Sequence, residues 1–242
     1  MFPPSLHAQP TILLFDVDGT LINAGGAGRR SLDRAFLKVV GTTKGLTFDL
    51  SGRTDLSIIR EGLRHSGVAV DDPATIDAQR KAIIATYLTF LPDEVTTSVD
   101  YEVFPGVLSL LETASHLPNM AIGLGTGNLR EGAFAKLDRA GLTRFFSFGG
   151  FGSDHEERPG ILGIGARRGA EILGNGKHEC RVVVIGDTAH DVSAALAIDA
   201  ECVGVGTGNA SPEELLACGA TCAFATLEDE GAIEAILQPA EA

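Results

Sequence analysis

The stretch Thr11-Ile12-Leu13-Leu14-Phe15-Asp16-Val17-Asp18-Gly19-Thr20-Leu21 decides how the rest of the chain is read. Thr11 to Phe15 is a short apolar, β-branched run, the signature of a buried strand. It stops at Asp16, and Asp18 follows two residues later. Residues two apart in a strand point the same way. Two carboxylates therefore converge where the strand gives way to a loop, and Gly19 permits a sharp turn just behind them. Like charges that close repel unless a cation lies between them or one holds a proton. Magnesium, a hard cation that prefers oxygen ligands, suits the pair. In that setting Asp16 is a candidate nucleophile and Asp18 a candidate proton carrier. The plain alternative is a loop with two solvated aspartates, which describes D-x-D alone better than D-x-D-G-T at the end of an apolar strand.

Working outward, the chain has 242 residues, enough for one large domain or two small ones, and its 44% apolar content is ample for a packed core. The net charge of −13 leaves no basic surface to hold nucleic acid or an anionic membrane, so neither is expected as a partner. No apolar run reaches transmembrane length. Met1–Pro10 has neither a cationic nor a long apolar region and reads as a loose tail, not a signal peptide. The four cysteines, Cys180, Cys202, Cys218 and Cys222, have no histidine pair at zinc-site spacing and read as reduced, mostly buried thiols of a cytoplasmic protein. The Cys218–Cys222 spacing fits one helical face.

Behind the first strand, Asn23–Gly28 reads as a flexible glycine-rich hinge. It lacks the endings of a P-loop or a dinucleotide-binding loop. Three helices are expected next: one with Leu32, Ala35, Phe36 and Val39 on one face, stopping at Gly41; one with Leu56, Ile59 and Leu63, ending at Gly67; one with Ile76, Ile83, Tyr87 and Leu91, ending near Pro92. Residues 23–99 thus form a helical insert, and 1–22 with 100–242 form the core. From Tyr101 strands and helices alternate: strands at Met120–Leu124, Phe145–Phe148, Arg181–Ile185, Cys202–Val205 and a short edge strand at Cys222–Ala225, with helices after Pro105, around Leu129–Leu137, at Ile161–Leu173, Val192–Ile198 and Ser211–Cys218, and at the end. This is the pattern of an α/β doubly wound parallel sheet, whose sites lie beyond the carboxyl ends of the strands.

Three further stretches are candidates to join Asp16. Gly125-Thr126-Gly127-Asn128 ends one core strand and opens a helix; a hydroxyl beside free helix N–H groups suits a phosphate, and serves equally as an N-cap. The same four letters recur at Gly206–Asn209 and read as convergent turn chemistry. Gly186-Asp187-Thr188-Ala189-His190-Asp191 follows the apolar RVVVI strand and sets two carboxylates around a helix start, where ordinary N-capping is the alternative. The third, Arg158-Pro159, enters through the resemblance that these motifs carry.

These motifs together resemble the haloacid dehalogenase superfamily, and the helical insert resembles the cap of its phosphoglycolate-phosphatase-like branch. The resemblance runs from Thr11 to about Leu237. It implies a Rossmann-like core with strand order 5-4-1-2-3, which puts Thr126 one strand from Asp16 and Thr207 two strands away. It implies Asp16 as the nucleophile that forms an aspartyl-phosphate, and Asp18 as the acid/base that marks phosphate chemistry. It further implies Thr126, with Gly127 and Asn128, on the phosphoryl group, and Asp187 as a direct magnesium ligand with Asp191 in support. Asp16 would add a carboxylate oxygen and Asp18 its backbone carbonyl to the metal. The chain departs from the family at its usual lysine. No lysine lies between Lys136 and Lys177, and neither fits well, so Arg158 is the expected replacement, with Arg167 and Arg168 as mid-helix competitors. The cap loop Leu50–Asp55 would contact substrate, with Arg53 holding an anion; the alternative has Asp55 as a helix N-cap and Arg53 solvated.

The expected function is a Mg2+-dependent phosphatase acting on a small phosphorylated metabolite, as a monomer or homodimer. The rivals are a sugar phosphomutase of the same fold, a phospho-accepting receiver domain, which has no helical insert and no D-x-D-G-T, and a non-catalytic binding protein.

Overall fold

The computed structural model describes residues 9–68 and 73–238; the tail expected over Met1–Pro10 falls, but for its last two residues, outside them. Strand β1 (Thr11–Phe15) is central because every one of its side chains is apolar or small enough to be covered on both faces. It pairs in parallel with β4 (Met120–Thr126) on one side and β6 (Arg181–Gly186) on the other. β5 (Phe148–Phe151) lies outside β4, and β7 (Glu201–Val205) and β8 (Cys222–Phe224) lie outside β6. The order β5-β4-β1-β6-β7-β8 is the expected one, with the short edge strand expected at Cys222–Ala225 added beside β7.

The period-two alternation of the strands divides the core into two layers. Leu13 and Phe15 join Leu124, Val183, Ile185 and Val203 on one face. Ile12 and Leu14 join Val182, Val184 and Cys202 on the other, under α6 (Arg158–Leu173) and α7 (Ala189–Leu196). Helix α4 (Val107–Ser115) leads into β4 and α5 (Arg130–Asp138) connects β4 to β5; α8 (Pro212–Ala217) and α9 (Ala232–Leu237) complete the chain.

The insert departs from its sequence reading at two places. Asn23–Gly28 is not a free hinge. Ile22–Ala24 is strand β2, paired antiparallel with β3 (Tyr101–Val103), and α1 (Ala27–Val39) starts within the glycine-rich run. Each three-residue strand is too short to read alone; the pair forms because the two crossings of the chain lie side by side and satisfy each other's backbone groups. The third helix does not end near Pro92. After α2 (Asp55–His65), α3 runs from Pro73 through Pro92 to Thr97. Leu91 and Val95 lie buried on either side of the proline, so packing carries the helix past a residue that would end it in isolation.

In the core, the strand expected at Phe145–Phe148 starts at Phe148; Leu142–Phe145 is a 3-10 turn. Helix α6 begins one turn before Ile161, at Arg158 itself. Cys218 caps α8 and Cys222 lies in β8, so they share no helical face; all four cysteines are free. Among the described residues no helix is long and apolar enough to cross a membrane.

Candidate active site

Asp16 is the residue after β1, and its N–H still donates to the Ile185 carbonyl at 3.0 Å, so the sheet's hydrogen-bond ladder holds its backbone. Its carboxylate is 4% exposed. Oδ2 accepts from Arg158 Nη1 at 3.3 Å and from Nη2 at 3.4 Å, while Oδ1 is buried with no hydrogen-bond partner. Arg158, the first residue of α6, also ion-pairs with Asp191. The cation chosen from the sequence to stand near Asp16 therefore does so. Arg167 is exposed. Arg168 is not on a solvated face, however: it pairs with Asp154 at 2.6 Å and donates to the Gly149 carbonyl.

Asp187 follows β6 and faces the Asp16 loop. Thr20 Oγ1 donates to its Oδ1 at 3.0 Å. Gly19 and Gly208 both abut this carboxylate, and a Cβ on either would collide with it; Gly19 also has φ +83°, which favours glycine. Burial, and then the charge of Asp16, push the Asp187 carboxyl up to about 7, against the pull of Thr20 and Arg158. Asp191 lies one layer deeper, fully buried. Its Oδ1 pairs with Arg158, and its Oδ2 accepts from the N–H and hydroxyl of Thr188 in the capping box that starts α7. One oxygen each of Asp16, Asp187 and Asp191 lie within 4.8 Å of one another. An unpartnered buried oxygen on Asp16 and a neighbouring acid held protonated up to about 7 are the electrostatics of a site that fits a divalent cation. Asp191, with both oxygens engaged, is placed to orient Arg158 and the helix start.

Asp18 points elsewhere. Its Oδ2 accepts from Lys136 Nζ at 2.5 Å and from Asn128 Nδ2 at 2.9 Å. Thr126 is fully buried, and its hydroxyl accepts from the N–H of Asn128 at 3.2 Å and from its Nδ2 at 2.9 Å. The Gly127 carbonyl accepts from the Asp55 N–H at 2.8 Å. Asn128 thus reaches the cavity wall, with Thr126 and Gly127 behind it.

Asp16, Asp18, Asn128, Arg158, Asp187 and Arg53 line one cavity of about 510 Å³, roofed by the insert. Arg53 lies over the Phe48 ring at 5.1 Å. The N-cap of α2 is Thr54, not Asp55: the Thr54 side chain accepts from the Ser57 N–H. Asp55 is buried, accepts from the Leu129 N–H at 2.8 Å, and is pushed up to about 6 by burial, which outweighs the pull of Lys136.

The sequence reading missed four contributors. Lys136, which the sequence leaves without a fit beside Asp16, serves Asp18 instead, from α5 and 8 residues after Asn128. Thr20 belongs to D-x-D-G-T. Thr207 donates to the Gly19 carbonyl at 2.5 Å, so the second Gly-Thr-Gly-Asn, two strands away, returns over the site through its loop. Asp55 has no local signal, because its partner is 74 positions away.

The sequence profile of the haloacid dehalogenase-like hydrolases matches residues 10–199. None of the curated proteins compared with the chain matches it. Among solved structures, a β-phosphoglucomutase from Clostridium difficile is similar at a TM-score of 0.65 and 21% identity, covering 90% of this chain and 91% of that one. A predicted phosphatase from Clostridium acetobutylicum gives 0.62 at 20% identity, over 89% and 94% of the two chains. A predicted phosphoglycolate phosphatase from Haemophilus somnus gives 0.62 at 17%, over 90% and 94%. At these identities the structures speak for the fold, while the profile match takes in both arms of the site, from Asp16 to Asp191: the chain belongs to the haloacid dehalogenase-like hydrolases.

Proposed function

We propose that the chain is a magnesium-dependent phosphatase of small phosphomonoesters, working through an aspartyl-phosphate on Asp16. The observation that carries this reading is the division of labour between two carboxylates two residues apart. Asp16 keeps one buried oxygen without a partner, beside Arg158, while Asp18 is drawn aside to Lys136 and Asn128. Different surroundings suit different roles.

In the first step an Asp16 oxygen attacks phosphorus in line, and the ester P–O bond breaks as Asp18 gives its proton to the departing oxygen. In the second step Asp18, now a carboxylate, takes a proton from water as the water oxygen attacks the phosphorus. The Asp16–phosphorus bond breaks, releasing inorganic phosphate and restoring both groups. Arg158 offsets charge on the phosphoryl oxygens, and Asn128 orients Asp18. Asp16 and Asp187 would hold Mg2+, whose contribution is to neutralise those same oxygens. The insert rests on Gly127 through Asp55, and its closure over a bound substrate would exclude bulk water from the cavity.

The experiment is release of inorganic phosphate from a panel of metabolite phosphates, with Mg2+ and with a chelator. Turnover that needs the metal and vanishes in a folded Asp16→Asn variant supports the reading. Isomerised substrate without phosphate release favours the mutase, and turnover at the wild-type rate in Asp16→Asn removes the covalent mechanism.

A further inference from the structure

Lys136 is an ammonium group in a place where an apolar side chain would pack more cheaply. It lies on the inner face of α5, 4% exposed. Taking such a charge out of water costs several kcal/mol unless it is paired and hydrogen-bonded. Here it is paired: Nζ donates to Asp18 Oδ2 at 2.5 Å and to Asn128 Oδ1 at 2.6 Å. Asn128 in turn donates to the same Asp18 oxygen at 2.9 Å and to the Thr126 hydroxyl. Both donors to Asp18 fall on Oδ2, and neither touches Oδ1. Burial alone would push the Lys136 ammonium down, but Asp18, Asp55 and Asp16 outweigh it and raise it, so the cation persists. Asp55 comes from the insert, so part of the countercharge of Lys136 is supplied by the roof of the cavity.

We infer that Lys136 is a positioning residue for proton transfer: with Asn128 it pins Asp18 by Oδ2, and leaves Oδ1 as the atom that carries the proton to the leaving oxygen and later takes one from water. This rests on the phosphatase reading above and adds a second cation to it, so that each working carboxylate has its own: Arg158 for Asp16 and Lys136 for Asp18. With Oδ2 held, the swing of the carboxyl group is restricted and Oδ1 keeps its place, and misplacement of about 1 Å is enough to cost a large factor in rate.

The test exploits the fact that a poor leaving group needs protonation and a good one does not. Wild type, Lys136→Met, Lys136→Arg and Asp18→Asn are compared on phenyl phosphate and 4-nitrophenyl phosphate, reading kcat/KM for phosphoryl transfer and kcat separately. General acid catalysis is worth about a hundredfold or more. Lys136→Met should therefore lose about a hundredfold in kcat/KM on phenyl phosphate and less than about tenfold on 4-nitrophenyl phosphate. Lys136→Arg should recover much of the difference, and Lys136→Met on the Asp18→Asn background should cost nothing more. If Lys136→Met fails to fold, Lys136→Met with Asp55→Asn removes one buried charge of each sign and carries the same comparison. Equal losses on both esters, or none, overturn the positioning role while the phosphatase stands. Wild type inactive on every phosphate ester overturns the phosphatase reading and this inference with it.

Discussion

Asp187 and Asp55 are both pushed upward by burial, yet they predict different experiments. At Asp187, raised to about 7 by burial and by Asp16, a proton competes with a cation for the carboxylate. Stabilisation by excess MgCl2, read as the rise in Tm, should therefore be small near pH 6, larger near pH 8, and abolished in Asp187→Asn. Asp55 has no place among the candidate metal ligands, and its titration is read in folding. Its folded value of about 6 lies above the ordinary 3.8, so between those values the folded state binds the proton more tightly than the unfolded one. Its contribution favours folding at the acid end of that window and is lost as the pH rises through about 6. At about 1.4 kcal/mol per pH unit this is about 3 kcal/mol. Asp55→Asn keeps the acceptor for the Leu129 N–H, and should flatten that part of the urea-unfolding profile between pH 4.5 and 7. Arg158→Ala should cost about a hundredfold in kcat, the size of losing one preorganised donor, and Arg158→Lys should restore part of it.

At the scale of elements, the site is a set of loop-to-helix junctions brought together at one edge of the sheet. β1 delivers Asp16 and Asp18, β4 delivers Thr126 to Asn128, and β6 delivers Asp187. The starts of α6 and α7 bring Arg158 and Asp191 behind them. The loop before α2 is seated on this edge by close approach. Gly52 has φ +66°, and a Cβ on it would lie 2.6 Å from His190 Cδ2, at the start of α7. Gly52→Ala should lift the loop from the core. The left-handed conformation alone costs an alanine about 1–2 kcal/mol, so kcat/KM should fall about tenfold, mainly through KM, with little change in the Tm of the sheet. A loss confined to kcat would show that the loop does not contribute to substrate binding.

For the molecule as a whole, the acidic floor of the cavity faces a roof supplied by the insert. Arg53 stands on the roof, over Phe48, and reaches the cavity but none of the acidic groups at its floor. Arg53→Ala should reorder a panel of metabolite phosphates while slowing 4-nitrophenyl phosphate by less than about threefold; a uniform loss would place Arg53 with the phosphoryl-binding groups. The roof and the floor share one apolar core. Leu46, Ile59 and Tyr87 of the insert belong to the same buried cluster as Phe15, Leu124 and Ile185 of the sheet. The Thr54 hydroxyl donates to the Glu156 carbonyl across the same boundary.

The sequence alone determined whatever depends on neighbours in the chain. The run Thr11–Phe15 is buried on both faces because all its residues are apolar or small, and its abrupt end at Asp16 and Asp18 fixes where the carboxylates lie. The alternation of strands and helices set the doubly wound sheet, and the acidic turn after RVVVI marked Asp187 and Asp191. Arg158 was legible only through the family resemblance, because Arg158-Pro159 stands in the interval where that family carries a lysine, often before proline. The tertiary structure decided whatever depends on distant partners. The β2–β3 ribbon exists only because residues 22–24 and 101–103 meet. Helix α3 passes Pro92 because burial of Leu91 and Val95 outweighs a missing backbone donor. Lys136 turns from an ordinary helix lysine into a buried cation only when α5 sets it beside Asp18. Asp55 turns from a helix-start residue into an acid raised to about 6 only when the insert closes on Leu129. A charge's role depends on its distance from other charges and from water, and in a chain folded on itself those distances are set by the packing of whole elements, not by the spacing of residues.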